Sequence, residues 1–300
     1  MRLFIAPRSR RKAIPLRMIL PNALTTVALC SGLASIHYSL KASDATLPTE
    51  ATLNWDRALM AVGVAVIFDM LDGRAARLLK AASPFGAIMD SLSDFLSFGV
   101  APGILLHEWL LKRYDIKEND VFVLAALMTF VLCSALRLAR FTAAVKPPPR
   151  PGVKPSPLAT NFFVGMPTPS AAAAVLVPPM LVSSRFWRTH DQTLDPWLQP
   201  WMVILFTFLI AGLMISRIPM LSFKKIRVRR RLVAPFLVAV GLVVVMLARD
   251  LWLAIALLSL TYLCTIPYSG WLYRKLRTQE PSEAPPGAEN PPVLAGPPRT

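Results

Sequence analysis

Asp69-Met70-Leu71-Asp72-Gly73-Arg74-Ala75-Ala76-Arg77, then after eight residues Gly86, then Asp90 and Asp94, is the stretch that decides how this chain folds. It places four carboxylates within 26 residues, in surroundings apolar enough for a membrane. A charged side chain at membrane depth is expensive and marks a functional site. Four carboxylates together repel one another unless cations neutralise them. Hard divalent ions, which take oxygen ligands, are the natural neutralisers. Residues three and four apart share a helix face. Asp69, Asp72, Gly73 and Ala76 are therefore expected on one side of one helix near its end. Gly86, Asp90 and Asp94 are expected on one side of the next helix near its start. The break at Ser83-Pro84 lets the two helices run antiparallel, with the acidic faces opposed. The spacing then predicts a cage for two Mg²⁺ or Mn²⁺ ions.

Outward from that stretch, the 300-residue chain is 54% hydrophobic with a formal charge of +16. Apolar runs recur near 18–40, 57–80, 84–111, 121–145, 169–184, 200–216, 232–248 and 250–273. A spanning helix needs about 20 apolar residues. The fold class expected is all-α: a polytopic transmembrane helical bundle of about eight spans. The basic residues fall in short clusters between the runs, which fits an anionic membrane surface better than nucleic acid. With the N-terminus inside and eight alternating spans, the inner segments hold 25 of the 33 Lys and Arg and the outer loops hold eight. The positive-inside rule then puts both termini and the acidic motif on the cytoplasmic side.

The expected organisation is a basic cytoplasmic segment over 1–17, a transmembrane catalytic domain over 18–277 and a disordered tail over 278–300. The first apolar run is read as a retained span rather than a signal peptide, because it is long. Residues 146–157, rich in proline, cannot be helical. Cys30, Cys133 and Cys264 are far apart and form no metal-binding pattern, and His37, His107 and His190 do not pair with one another.

Gly73, Ala76 and Gly86 leave a groove on the acidic faces where a flat base or a diphosphate can approach the backbone. Gly86 has helix–helix contact as an alternative role. Arg74 and Arg77 stand just beyond. Two metals beside anionic substrate groups point to phosphoryl transfer. Asp94 is the candidate general base. An ion-coupled transporter and a non-catalytic lipid-binding protein are the alternatives from other classes.

The run matches D-x-x-D-G-x-x-A-R-x8-G-x-x-x-D-x-x-x-D at all eight fixed positions: Asp69, Asp72, Gly73, Ala76, Arg77, Gly86, Asp90 and Asp94. In this it resembles the CDP-alcohol phosphotransferase family. Leu20-Pro21-Asn22 with Thr25, Ser134 to Phe141, Phe163 to Ala171, and Ser216-Arg217-Ile218-Pro219 with Ser222 to Lys225 are similar to the integral-membrane phosphatidylserine synthase branch. Thr142 stands where that branch usually has Asn. The resemblance implies a six-helix core plus two C-terminal helices, a homodimer and a site facing the cytoplasm of the bacterial inner membrane. It implies Asp69, Asp72, Asp90 and Asp94 as ligands of two divalent ions, with Asp72, Asp90 and Asp94 catalytic. It implies CDP-diacylglycerol contacts by Asp69, Gly73, Ala76, Arg77 and Gly86. Arg137 and Arg140 would hold a donor phosphate or the carboxylate of L-serine. CMP would leave. Choline, glycerol phosphate and inositol phosphate are the alternative acceptors.

Overall fold

The computed structural model describes residues 16–81, 83–117, 120–143, 162–189, 198–216, 218–221 and 233–277. Most of the basic N-terminal segment, the proline-rich loop, Arg217, Lys224, Lys225 and the tail lie outside these residues.

Ten helices follow in order among the described residues, with the long third rod counted as one helix: α1 (Leu16–Asp44), α2 (Pro48–Leu78), α3 (Pro84–Tyr114), α4 (Val121–Ala143), α5 (Thr168–Val175), α6 (Val177–Ser183), α7 (Arg185–Thr189), α8 (Pro200–Ile215), α9 (Val233–Arg249) and α10 (Leu251–Arg277). Three described helices are long and apolar enough to cross a membrane: Ile19–Asp44, Pro84–Tyr114 and Val121–Ala143. α2 has 31 residues and would reach about 47 Å at 1.5 Å per residue. Its charges, Glu50, Asp56 and Arg57 near one end and the aspartate motif near the other, interrupt its apolar stretch. Pro200–Ile215, Val233–Arg249 and Leu251–Pro267 are shorter apolar helices.

Three local differences from the expectation have clear causes. α2 begins at Pro48 rather than near 57, because Pro48 sits in the first turn, where its missing N–H is harmless, and Glu50 complements the helix dipole. The run 169–184 is two helices rather than one. Pro178 and Pro179 cannot donate to the carbonyls a turn before them, so the chain breaks at Leu176 and restarts. The bundle also carries one short antiparallel pairing, β1 (Phe162–Val164) with β2 (Pro219–Leu221). Gly165 follows β1 at φ +77°, and a Cβ there would lie 2.9 Å from the carbonyl oxygens of Met214 and Ser216. Only glycine permits both the angle and the approach.

The core lies between α2, α3, α4, α5 and α8, where Leu59, Leu105, Leu110, Phe130, Val175 and Ile210 are fully buried. α1 packs along α2 and also touches α3, and small residues permit it. A Cβ on Gly32 of α1 would stand 2.6 Å from Ser97 Oγ of α3. Ser97 Oγ donates to Ala28 O at 3.1 Å, and Ser93 Oγ to Thr25 O at 3.3 Å. α3 passes through a π-turn at Leu96–Val100. Pro102 follows, and the wider turn relieves the clash that its ring makes in a regular helix.

Candidate active site

α2 delivers its part of the motif in its last turns and then has to stop. It stops in a Schellman arrangement: Ala81 N–H donates to Ala76 O at 2.9 Å and Lys80 N–H to Arg77 O at 3.3 Å. Lys80 takes the left-handed conformation, φ 49°, usually left to glycine. α3 restarts with Ser83 as its cap, its Oγ accepting from Gly86 N–H at 3.0 Å, and with Pro84 in the first turn.

This turn returns the second acidic face toward the first. One oxygen each from Asp69, Asp72 and Asp90 lie within 4.8 Å of one another. Two oxygens on opposite sides of one Mg²⁺ or Mn²⁺ stand about 4 to 5 Å apart. The trio therefore fits a divalent cation with hard oxygen donors. Asp94 stands one turn further along α3 and is not in that trio. Its carboxyl comes within hydrogen-bonding reach of Asp69, and its Oδ1 is buried with no partner among the described residues. A buried acceptor left unmade costs about 1–3 kcal/mol, which a cation or a substrate hydroxyl would recover.

α1 supplies a support that spacing alone did not reveal. Thr25 Oγ1 donates to Asp72 Oδ2 at 2.6 Å, and both residues are 4% exposed. The segment Leu20-Pro21-Asn22 with Thr25 stood out by resemblance, but nothing in its pattern gave Thr25 a carboxylate to hold. The contact joins residues 47 positions apart.

Above the cluster opens a cleft of about 160 Å³ walled by Asn22, Gly73, Ala76, Ser83, Gly86 and Asp90, among others. A Cβ on Gly73 would meet nothing within 4 Å, so this face is open. A Cβ on Gly86 would lie 3.0 Å from Asn22 Oδ1 and 3.1 Å from Ser83 Oγ. Gly86 thus serves close packing against the cap as well as the cleft wall.

The arginines divide. Arg137 of α4 reaches inward, near Asp94 and near Tyr262 of α10. Its Nη1 donates to Thr168 Oγ1 at 2.8 Å, while its Nε is buried without a partner among the described residues. Neither Thr168 nor Tyr262 carried a role in the sequence. Arg140 donates from Nη1 to Ile215 O at 3.0 Å, closing the end of α8. Arg77 folds back on its own helix, Nε to Gly73 O at 2.8 Å, and is exposed, as is Arg74. His107 pairs with Glu108 at 3.2 Å, about 20 Å along α3 from Asp94.

The family model described as CDP-alcohol phosphatidyltransferase matches residues 18–208. The chain belongs to that family. Its matched region takes in all four aspartates, both glycines and Arg137 and Arg140. A Mycobacterium leprae protein named CDP-diacylglycerol--serine O-phosphatidyltransferase is 32% identical over 88% of this chain and 77% of its own. Proteins of the same name from Mycobacterium tuberculosis (30% identical, 88% of this chain and 81% of that one) and Helicobacter pylori (30%, 76% and 82%) are also similar.

Proposed function

We propose that this chain transfers the phosphatidyl group of CDP-diacylglycerol to the hydroxyl of L-serine and releases CMP. The observation that carries the reading is the meeting of Asp69, Asp72 and Asp90 beneath a glycine-walled cleft. The relatives' shared name supplies the donor and the acceptor. Two divalent ions, Mg²⁺ or Mn²⁺, would be held by Asp69, Asp72, Asp90 and Asp94. When bound, they neutralise the diphosphate and the charge that develops on the transferred phosphoryl group.

The chain's own residues do the rest. Gly73, Ala76 and Gly86 let the nucleotide lie against the helix backbones, and Arg77 faces its anionic groups. Asp94 takes the proton from the serine hydroxyl as the oxygen attacks phosphorus and the bond to CMP breaks. Arg137 offers two fixed nitrogens to the serine carboxylate, a geometry lysine cannot reproduce. Arg140, already engaged at α8, stands at the edge of the same face. Most of the rate enhancement comes from positioning and charge neutralisation.

The eight-span assignment puts 25 of the 33 Lys and Arg on the side of the acidic motif, which supports a cytoplasmic orientation, and the bacterial sources of the relatives support an inner membrane. We place the enzyme there as a homodimer of eight-span chains, six core helices plus α9 and α10. The test is CMP release by the purified full-length chain given CDP-diacylglycerol and, separately, serine, choline, glycerol phosphate or inositol phosphate. Serine alone should support release, and Asp94→Asn should abolish it. Release with another alcohol in place of serine would refute the acceptor, and an active Asp94→Asn would refute the base.

A further inference from the structure

A recess of about 650 Å³, wider than the aspartate cleft, lies at the opposite end from the aspartates, between α1, α2, α7 and the corner joining α9 to α10. Four arginines line it: Arg57, Arg185, Arg188 and Arg249. They are half of the eight Lys and Arg that the sequence assigns to that side. Among the described residues, two acids, Asp56 and Asp250, face them. Arg188 is taken up by Asp56 through two contacts of 2.9 and 3.1 Å. Asp250 accepts backbone N–H groups from Phe186 at 3.1 Å and Leu253 at 3.2 Å, capping α10. Arg57 lies over the Tyr38 ring at 5.7 Å. Arg185 and Arg249 form no ion pair among the described residues and are exposed. Among the described residues, the recess therefore carries two positive charges beyond its acids.

It also continues into an apolar trough of about 480 Å³, which shares Met60, Val64, Leu251 and Trp252 with it and runs along α2 to Ile67. Trp252 lines both and Tyr38 lines the recess, aromatic residues of the kind found at headgroup level. A cationic mouth opening into an apolar trough matches one molecule: an amphiphile with a phosphate at one end and a hydrocarbon tail at the other.

We propose that this recess binds an anionic glycerophospholipid from the leaflet opposite the active site, its phosphate between Arg185 and Arg249 and one acyl chain in the trough. The net charge selects an anionic over a zwitterionic headgroup. The recess and trough share no lining residue with the aspartate cleft, and the proposal does not depend on serine being the acceptor.

Native mass spectrometry of the delipidated full-length protein tests it, with phosphatidylglycerol or phosphatidylcholine of the same acyl chains added. Two variants are compared with the parent chain. R185Q/R249Q removes the free cations. Gly63→Leu fills the trough where an added Cβ meets nothing within 4 Å. The expected result is a phosphatidylglycerol adduct stronger than the phosphatidylcholine adduct, reduced about tenfold or more by either variant. CMP release by R185Q/R249Q should match the parent chain. Equal adducts with the two lipids overturn the proposal without needing any variant. So does an adduct that survives both variants. If Gly63→Leu leaves the adduct intact but splits an oligomer, the trough holds a protein. If it leaves the adduct intact but raises KM for CDP-diacylglycerol, the trough holds the donor's chain. Either result also overturns the proposal.

Discussion

Replacing Thr25 by valine removes one hydroxyl and almost nothing else. That hydroxyl sits 2.6 Å from Asp72 Oδ2, within the short range of charge-assisted O–H···O⁻ bonds. Hydrogen bonds to charged groups contribute about 1.5–3 kcal/mol. Asp72 is 4% exposed, so water cannot readily take the place of the lost donor. The hydroxyl also lies 3.1 Å from Pro21 O, a contact that offsets part of the gain from its bond to Asp72. The low half of the range therefore applies, which is roughly 10- to 40-fold at about 1.4 kcal/mol per decade. The loss should fall on the cation, because the bond orients a ligand rather than touching substrate. Removing such a support costs 10- to 100-fold in metal affinity or activity in other metal sites, an order-of-magnitude guide. The assay is CMP release against Mn²⁺ concentration. Thr25→Val should shift the midpoint upward about tenfold or more, and Thr25→Ser should restore it. A Thr25→Val protein with the parent Mn²⁺ curve would refute the role given to α1.

Other outcomes follow from the same geometry. Gly73→Ala should raise the thermal midpoint, since alanine is favoured over glycine in a helix by about 1 kcal/mol. It should also raise KM for the CDP donor, because its methyl group enters the cleft; scanning calorimetry beside kinetics separates the two effects. Gly32→Leu should destabilise by about 1–3 kcal/mol through overpacking against Ser97, read as a lower detergent-solubilised Tm. Arg137→Lys should raise KM for serine more than KM for CDP-diacylglycerol, because one ammonium cannot span a carboxylate in bidentate fashion; equal increases would place Arg137 on the donor.

The acidic face was legible because period and chemistry coincide. Asp69, Asp72, Gly73 and Ala76 repeat at helical spacing, and Ser83-Pro84 marks a turn in residue types with known preferences. Most apolar helices were legible from apolar length alone, within a few residues of α1, α3, α4, α8, α9 and α10. What was hidden was set by tertiary contact. Lys80 gives no sign of left-handed geometry, because its conformation follows from the return of the chain and not from its side chain. Thr25 looks like any hydroxyl in an apolar helix until α1 lies against α2. The break at Leu176 was visible in Pro178-Pro179 but was outweighed by the apolar length of the run. The meeting of Arg137, Thr168 and Tyr262 joins three separate helices, which periodicity within one helix cannot reveal. Thr142, the departure from the related branch, bonds among the described residues to its own helix, at Leu138 O and Ala139 O.

The most direct test is a count of bound cations. Electron paramagnetic resonance of Mn²⁺ titrated into the purified chain reads free ion, and the deficit gives the number bound. With a CDP-linked lipid present, two Mn²⁺ should bind per chain, and Asp69→Asn, Asp72→Asn and Asp90→Asn should each abolish saturable binding. A chain that releases CMP at full rate while binding no Mn²⁺ or Mg²⁺ would contradict the account.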